Sequence, residues 1–217
     1  MRLPGQADVA ANLLDVRRRI ERAGGDPDGL QIVAVTKGHP ASACVAARKA
    51  GLAVVGENRV QEALAKMDEV QGVDWHLIGH LQRNKARHAP RFSLVQSVDS
   101  VELADAIARH ARVPCLLQVN IAREAQKFGV APEAAEEVAL AVAERLELRG
   151  LMAVAPLGGD PVPGFRQLAL LRLRVQDRLG TALPVLSMGM SGDFEAAVRE
   201  GATMLRLGTV LFGRRTP

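Results

Sequence analysis

The 217-residue sequence contains no tyrosine, one tryptophan and five phenylalanines. So little aromatic surface excludes the stacking platforms on which single-stranded nucleic acids are held. It also leaves any core to be built from Leu, Val, Ala, Ile and Met. No apolar run approaches the length of a membrane-spanning helix, and Met1-Arg2-Leu3-Pro4-Gly5 lacks the apolar stretch of a signal peptide. A soluble cytoplasmic protein is therefore expected. Cysteine is nearly absent: Cys44 and Cys115 lie far apart in apolar surroundings and are expected to be reduced and buried. Charge of one sign is also scarce. The formal net charge is +4, and the one compact basic run, Arg17-Arg18-Arg19, reads as the solvated face of an N-terminal helix. Finally, no glycine-rich dinucleotide fingerprint follows the first strand, no carboxylate pair stands out, and the histidines do not fall into metal-ligand spacing.

Apolar residues make up 48% of the chain, enough for a sizeable core, and they fall into a repeating order. A helix is expected over residues 8–21 from the spacing of Val9, Leu13, Val16 and Ile20. Eight short apolar runs follow, at 31–36, 52–55, 73–78, 94–98, 115–120, 148–154, 184–186 and 204–207, with helical patterns between them. The usual spacing of their ends is about 21 residues, two units being longer. Pro40 opens the first intervening helix and Gly51 stops it; Asp99 or Ser100 caps another; the prolines and glycines of 155–164 make the longest loop. Eight such units, each a plausible parallel strand, describe one (β/α)8 barrel over residues 1–217 with an extra N-terminal helix. An open, doubly wound sheet is the rival, and it would normally not need eight evenly spaced units.

Barrel chemistry lives at the carboxyl ends of strands. Lys37 ends the first run, Gln31-Ile32-Val33-Ala34-Val35-Thr36, and a lysine against an apolar wall is suited to act as an amine nucleophile. The other strand ends offer Asn58, His76 with His80, Gln96, Asn120, the stretch Ser187 to Ser191, and Arg206 with Gly208-Thr209. His76 and His80 would share a face only in a helix, and His76 lies in a strand. Ser191-Gly192 precedes a helix, and Gly208-Thr209 opens a turn without bulk, the usual place for a phosphate in a barrel. Ser191 has a plainer role available, as a helix N-cap, and Arg206 as half of a structural salt bridge. An amine nucleophile and a phosphate pocket on one rim suggest a phosphorylated aldehyde, for which pyridoxal 5′-phosphate (PLP) is the precedent.

The chain resembles the pyridoxal phosphate homeostasis proteins, the YggS/PROSC family. The likeness is carried in order by Ala34-Val35-Thr36-Lys37, by Gly56-Glu57-Asn58 with Val60-Gln61-Glu62, and by the run from Trp75 to Lys85. It continues through Ser97-Val98-Asp99, Leu117 to Ile121, Gly150-Leu151-Met152, Leu186 to Ser191, and Arg206-Leu207-Gly208-Thr209 with Phe212-Gly213. The resemblance implies a single barrel like the N-terminal domain of alanine racemase. It implies that Lys37 forms the internal aldimine, that Ser191, Gly208 and Thr209 hold the phosphate, that Arg206 faces the pyridine nitrogen and that Asn58 lines the pocket. Departures are Thr36, Gly38-His39, Arg59, His80 and Gly192, where other residues are frequent in the family; Arg59 and His80 bear on rim packing and partner contact.

The resemblance implies vitamin B6 homeostasis: a PLP carrier without defined turnover, with PLP-requiring apo-enzymes as partners. The alternative is a PLP-dependent amino-acid racemase or decarboxylase. A racemase of this fold resembles a two-base machine of lysine and tyrosine, and there is no tyrosine; His39, His80 or Cys44 would have to serve instead. The chain also ends at Pro217, which leaves no room for the C-terminal domain that completes such sites, so a monomer is expected.

Overall fold

The computed structural model describes residues 8–124 and 126–214. Helix α1 (Val9–Arg22) starts at Asp8, whose side chain accepts from the Ala11 N–H at 3.1 Å. Its apolar stripe, Val9, Leu13, Val16 and Ile20, is buried, and it packs on α2 (Ala41–Lys49), α7 (Phe194–Arg199) and α8 (Thr209–Phe212). The strands are β1 (Gln31–Val35), β2 (Val54–Glu57), β3 (Asp74–Leu77), β4 (Leu94–Val98), β5 (Pro114–Val119), β6 (Glu147–Ala153), β7 (Val185–Ser187) and β8 (Met204–Leu207). Each pairs in parallel with the next, and β8 pairs with β1, closing an eight-stranded barrel. The remaining connections are α3 (Val60–Glu69), a 3-10 segment (Arg83–Arg91), α4 (Val101–Ala108), α5 (Ala135–Arg145) and α6 (Val162–Leu179).

Side-chain alternation sorts the strands into two layers. One set faces the helices and joins the main core; the other fills the barrel with Val33, Val54, Leu94, Leu116, Met152 and Met204. Two residues further along β3, β4, β7 and β8 the interior turns polar, with His76, Gln96, Ser187 and Arg206, all buried. The barrel thus has an apolar floor and a polar layer on the side of the carboxyl rim. Closure demands one unusually tight contact: a Cβ at Gly150 would lie 1.8 Å from the Val185 carbonyl oxygen, so β6 reaches β7 only because residue 150 has no side chain.

Several boundaries differ from the sequence expectation. Strand β2 runs over 54–57, two residues later than expected, because Gly56 and Glu57 look like loop residues yet continue the ladder opposite His76 and Leu77. Helix α6 begins at Val162 rather than Phe165, since a proline is tolerated in a first turn. Ser100, not Asp99, caps α4, accepting from Leu103 N–H at 3.2 Å. The turn expected after Gly208 is a short helix, α8. Arg17-Arg18-Arg19 is not simply a solvated face: Arg19 pairs with Glu195 at 2.6 Å and lies 4.5 Å from the centre of the Phe194 ring, while Arg17 pairs with Asp28. Cys44 and Cys115 are buried and unbridged. Among the described residues, no helix is long and apolar enough to cross a membrane.

Candidate functional site

The carboxyl ends of β8 and β1 meet at the closure of the barrel, and five of the six site residues expected from sequence gather there. Lys37 lies two residues past the end of β1 and is half-buried. Arg206 pairs in register with Val33, and a Cβ on Gly208 would come to 3.3 Å from the Val35 carbonyl, so the β8 loop presses against the strand that delivers Lys37. Ser191, after β7, is tied to the same loop, its hydroxyl oxygen accepting from Gly208 N–H at 3.3 Å and Val210 N–H at 3.2 Å. Ser191 is therefore not the N-cap of α7. Asp193 occupies that position, and its carboxylate accepts from Met190 N–H at 2.6 Å, curling the loop back. Thr209 is exposed, and a Cβ at Gly192 would meet nothing within 4 Å, so the rim is open here. Asn58, the sixth residue, follows β2; Gly79 packs on its backbone so closely that a Cβ there would be 2.3 Å from the Asn58 carbonyl oxygen.

Arg206 is 4% exposed and points into the barrel. Its guanidinium donates to Ser187 Oγ at 2.6 Å and to the Ala153 carbonyl at 2.7 Å, both neutral acceptors. The salt-bridge alternative is thus replaced by two neutral partners. Burial lowers its pKa to about 10, with Asp193 working the other way, so it remains a cation at neutral pH.

Because arginine has no acceptor, it sets the direction of the whole polar layer. Ser187 accepts from Arg206 and donates to Gln96 Oε1 at 2.7 Å. The Gln96 amide nitrogen is then left to donate to His76 Nδ1 at 3.0 Å, which assigns the histidine proton to Nε2. Burial drops the His76 pKa to about 4, so the ring is neutral. Neither His76 nor Gln96 stands at the rim; both lie beneath it.

The remaining candidates are drawn elsewhere. Asn120 closes its own loop, donating to the carbonyls of Glu124 at 2.9 Å and Lys127 at 3.2 Å. His80 pairs with Asp99 at 3.2 Å and stacks on Phe128 at 4.0 Å, joining the loops after β3 and β5. His39 packs its ring 5.4 Å from Phe212, fastening the β1 loop to α8. A cleft of about 920 Å³ opens between the loop after β6 and α7; it reaches the site at Met190 and Gly192 but is not lined by Lys37 or Asn58. Among the described residues no three metal-ligating side chains cluster.

Sequence reasoning missed a group on the helix side of β1 and β2. Lys66 of α3 is buried and its ammonium donates to Glu57 at 2.6 Å, Glu62 at 2.9 Å and the Thr36 carbonyl at 2.8 Å. The Thr36 hydroxyl donates to Glu57 at 2.6 Å and accepts from the Cys44 thiol at 3.5 Å. Burial opposes the charge on Lys66, but the bonds from Glu57 and Glu62 outweigh it and raise its pKa. Burial pushes Glu57 up, against the pull of Lys66 and Thr36. Two signals were available: a Glu-Lys pair four residues apart, and a glutamate directly after an apolar run.

Comparison with known proteins places this geometry. Residues 6–216 match the family described as alanine racemase, N-terminal domain. The pyridoxal phosphate homeostasis protein of Pseudomonas aeruginosa is 43% identical over 95% of this chain and 96% of that protein. The protein of the same name from Bos taurus is 36% identical over 92% and 83%. Among solved structures, PipY of Synechococcus elongatus with PLP bound aligns with a TM-score of 0.82 at 37% identity, covering 94% of this chain and 100% of that one. Alanine racemase of Clostridium difficile, in complex with cycloserine, shares the fold at a TM-score of 0.76 and 13% identity, over 100% of this chain and 64% of its own. A matched domain spanning nearly the whole chain, together with relatives of this identity and coverage, shows that the chain belongs to the family of the pyridoxal phosphate homeostasis proteins, built on the alanine racemase N-terminal fold.

Proposed function

We propose that this chain binds PLP at the carboxyl mouth of the barrel and serves PLP homeostasis as a reversible carrier rather than as an enzyme with a defined substrate. The observation that carries the reading is Arg206: a buried cation whose hydrogen-bond acceptors are a hydroxyl and a carbonyl, on the strand paired with the one that delivers Lys37. A buried charge without a carboxylate is costly unless a ligand makes use of it, and the lone pair of a pyridine nitrogen suits a guanidinium donor. The residues present fit the rest of the cofactor. Lys37 supplies the amine for a reversible covalent bond to the aldehyde, water leaving as the bond forms and returning as it breaks. Ser191, Gly208 and Thr209 border open space beside the unencumbered Gly192, where a phosphate would be accommodated. Asn58 lines the neighbouring side.

PLP supplies an aldehyde and an electron-accepting ring when bound. Arg206, still protonated at neutral pH, leaves the ring nitrogen facing it without a proton, which weakens electron withdrawal and suits retention over turnover. The enzyme alternative lacks support from two of its three candidate bases. Cys44 is buried between β1 and α2 with its thiol pKa raised by burial, and His80 is engaged by Asp99 and Phe128. The relatives that match over nearly their full length are named as homeostasis proteins. Recipients of the released cofactor are PLP-requiring apo-enzymes, and the site lies in the cytoplasm.

Borohydride reduction of the PLP-loaded protein, followed by peptide mapping, tests the assignment. The expected result is a pyridoxyl adduct on Lys37, absent from Lys37→Ala. An adduct confined to other lysines would refute it, and amino-acid turnover by the wild-type protein would refute the carrier role.

A further inference from the structure

Lys37 occupies a turn whose two neighbouring peptide groups are both held from the helix side of the barrel. The carbonyl of Thr36 belongs to the peptide before Lys37, and it accepts from Lys66 Nζ at 2.8 Å. The N–H of Gly38 belongs to the peptide after Lys37, and it donates to Glu62 Oε1 at 2.6 Å. That same carboxylate oxygen accepts from Lys66 at 2.9 Å. The ammonium is anchored in turn by Glu57 at 2.6 Å, so its three donors all have acceptors. Fixing the planes on both sides of one α-carbon fixes φ and ψ of that residue, and with them the direction of its side chain.

We propose that Lys66 is a positioning residue for Lys37, acting with Glu57 and Glu62 to lock the backbone of the amine-bearing residue through both flanking peptides. Lys66 touches no cofactor; it works from behind the strand. It stands on α3, which α3's own buried residues Val60, Ala63 and Met67 fasten to the barrel wall. The α-carbon of Lys37 is thereby referred to a packed helix rather than to the loop alone. Once the covalent bond to an aldehyde is made, that orientation governs how readily water returns to the same carbon. The ligand of this proposal is the one inferred above, so this part rests on that reading; the backbone lock itself does not.

The test uses full-length protein in two variants. Glu62→Ala cuts the Gly38 contact at a partly exposed residue and leaves the Lys66–Glu57 pair in place. Lys66→Met with Glu57→Gln removes the anchor without leaving one charge buried alone. In the protein without PLP, hydrogen exchange at the Gly38 amide and the pH profile of Lys37 acetylation are followed by mass spectrometry, with exposed Lys49 as internal reference. In the loaded protein, the rate of PLP release is followed. We expect Gly38 exchange to accelerate, the Lys37 profile to shift relative to wild type while Lys49 stays put, and PLP release to quicken by about tenfold, the scale of one hydrogen bond to a charged group. An unchanged Lys37 profile and unchanged release in folded Glu62→Ala would overturn the proposal, and that variant decides alone if the double variant does not fold. Failure of the functional reading looks different: the wild-type adduct would map away from Lys37, with the Gly38 and Lys37 readouts still reporting on the lock.

Discussion

Neutral His76 makes the polar layer acid-sensitive, and the size of the effect follows from its burial. The ring titrates at about 4 in the folded protein against an ordinary value of 6.5. The folded pKa is depressed, so between those two values the unfolded chain binds a proton that the folded chain refuses. Stability is therefore complete above pH 6.5 and is lost as pH falls toward 4. Between about pH 7.5 and about pH 5 the linkage relation gives a loss of about 2 kcal/mol from this one group, approaching about 3 kcal/mol by pH 4. Carboxylates titrate over part of this range too, so the measurement is a difference. His76→Asn places a side-chain oxygen near the position of Nδ1, where it accepts from Gln96, and removes the titration. Urea unfolding of both proteins at the two pH values should show the wild type losing about 2 kcal/mol more than the variant. Equal losses, within about 0.5 kcal/mol, would mean that His76 is already charged when folded. The chain of donors from Arg206 would then be drawn in the wrong direction.

Two further outcomes are expected. Lys66→Met should cost more stability than Arg206→Met, about 3–5 kcal/mol against about 1–3 kcal/mol, because the first orphans a buried carboxylate and the second leaves only neutral acceptors; denaturant titration without PLP gives the order, and the reverse order would contradict both site descriptions. Gly150→Ala should destabilise by about 1–3 kcal/mol or more by forcing β6 from β7, and a midpoint equal to that of wild type would show that the close approach at Val185 relaxes without penalty.

Much of the fold is legible in the sequence because a parallel strand covered on both faces must be largely apolar. Ile32 to Val35 announces itself, and Leu94-Val95 and Leu116-Leu117 mark β4 and β5 although Gln96, Ser97 and Gln118 follow in them; the ends of these strands point to the rim. Where that rule is broken, sequence reading falters. Glu57 looks like a loop residue because its burial depends on Lys66, nine positions later and on another element. Ser187 and Gln96 are visible as strand-end polar residues, but their link to Arg206 needs the closed barrel. The plainer N-cap role of Ser191 fails: a serine before a helix reads as a cap, whereas its hydroxyl faces N–H groups at the start of α8, 17 and 19 residues onward. The residues that the resemblance to a known family proposes for the cofactor follow or end strands on the carboxyl side of the barrel; the resemblance did not name Lys66, Glu57 or Glu62 as a group.

The seam between β8 and β1 joins the first strand of the chain to the last. Lys37 and Arg206 thus come from opposite ends of the polypeptide, and no partial barrel holds both in place. In folding, that pairing has the greatest loop-closure cost of any in the sheet. A chain still emerging from synthesis, with β8 not yet made, lacks the cation, the glycine and the threonine of the eighth unit. On the proposed mode of binding, cofactor affinity is a gauge of completion: tight retention reports that the ring has closed, and the ligand in turn ties β8 to β1.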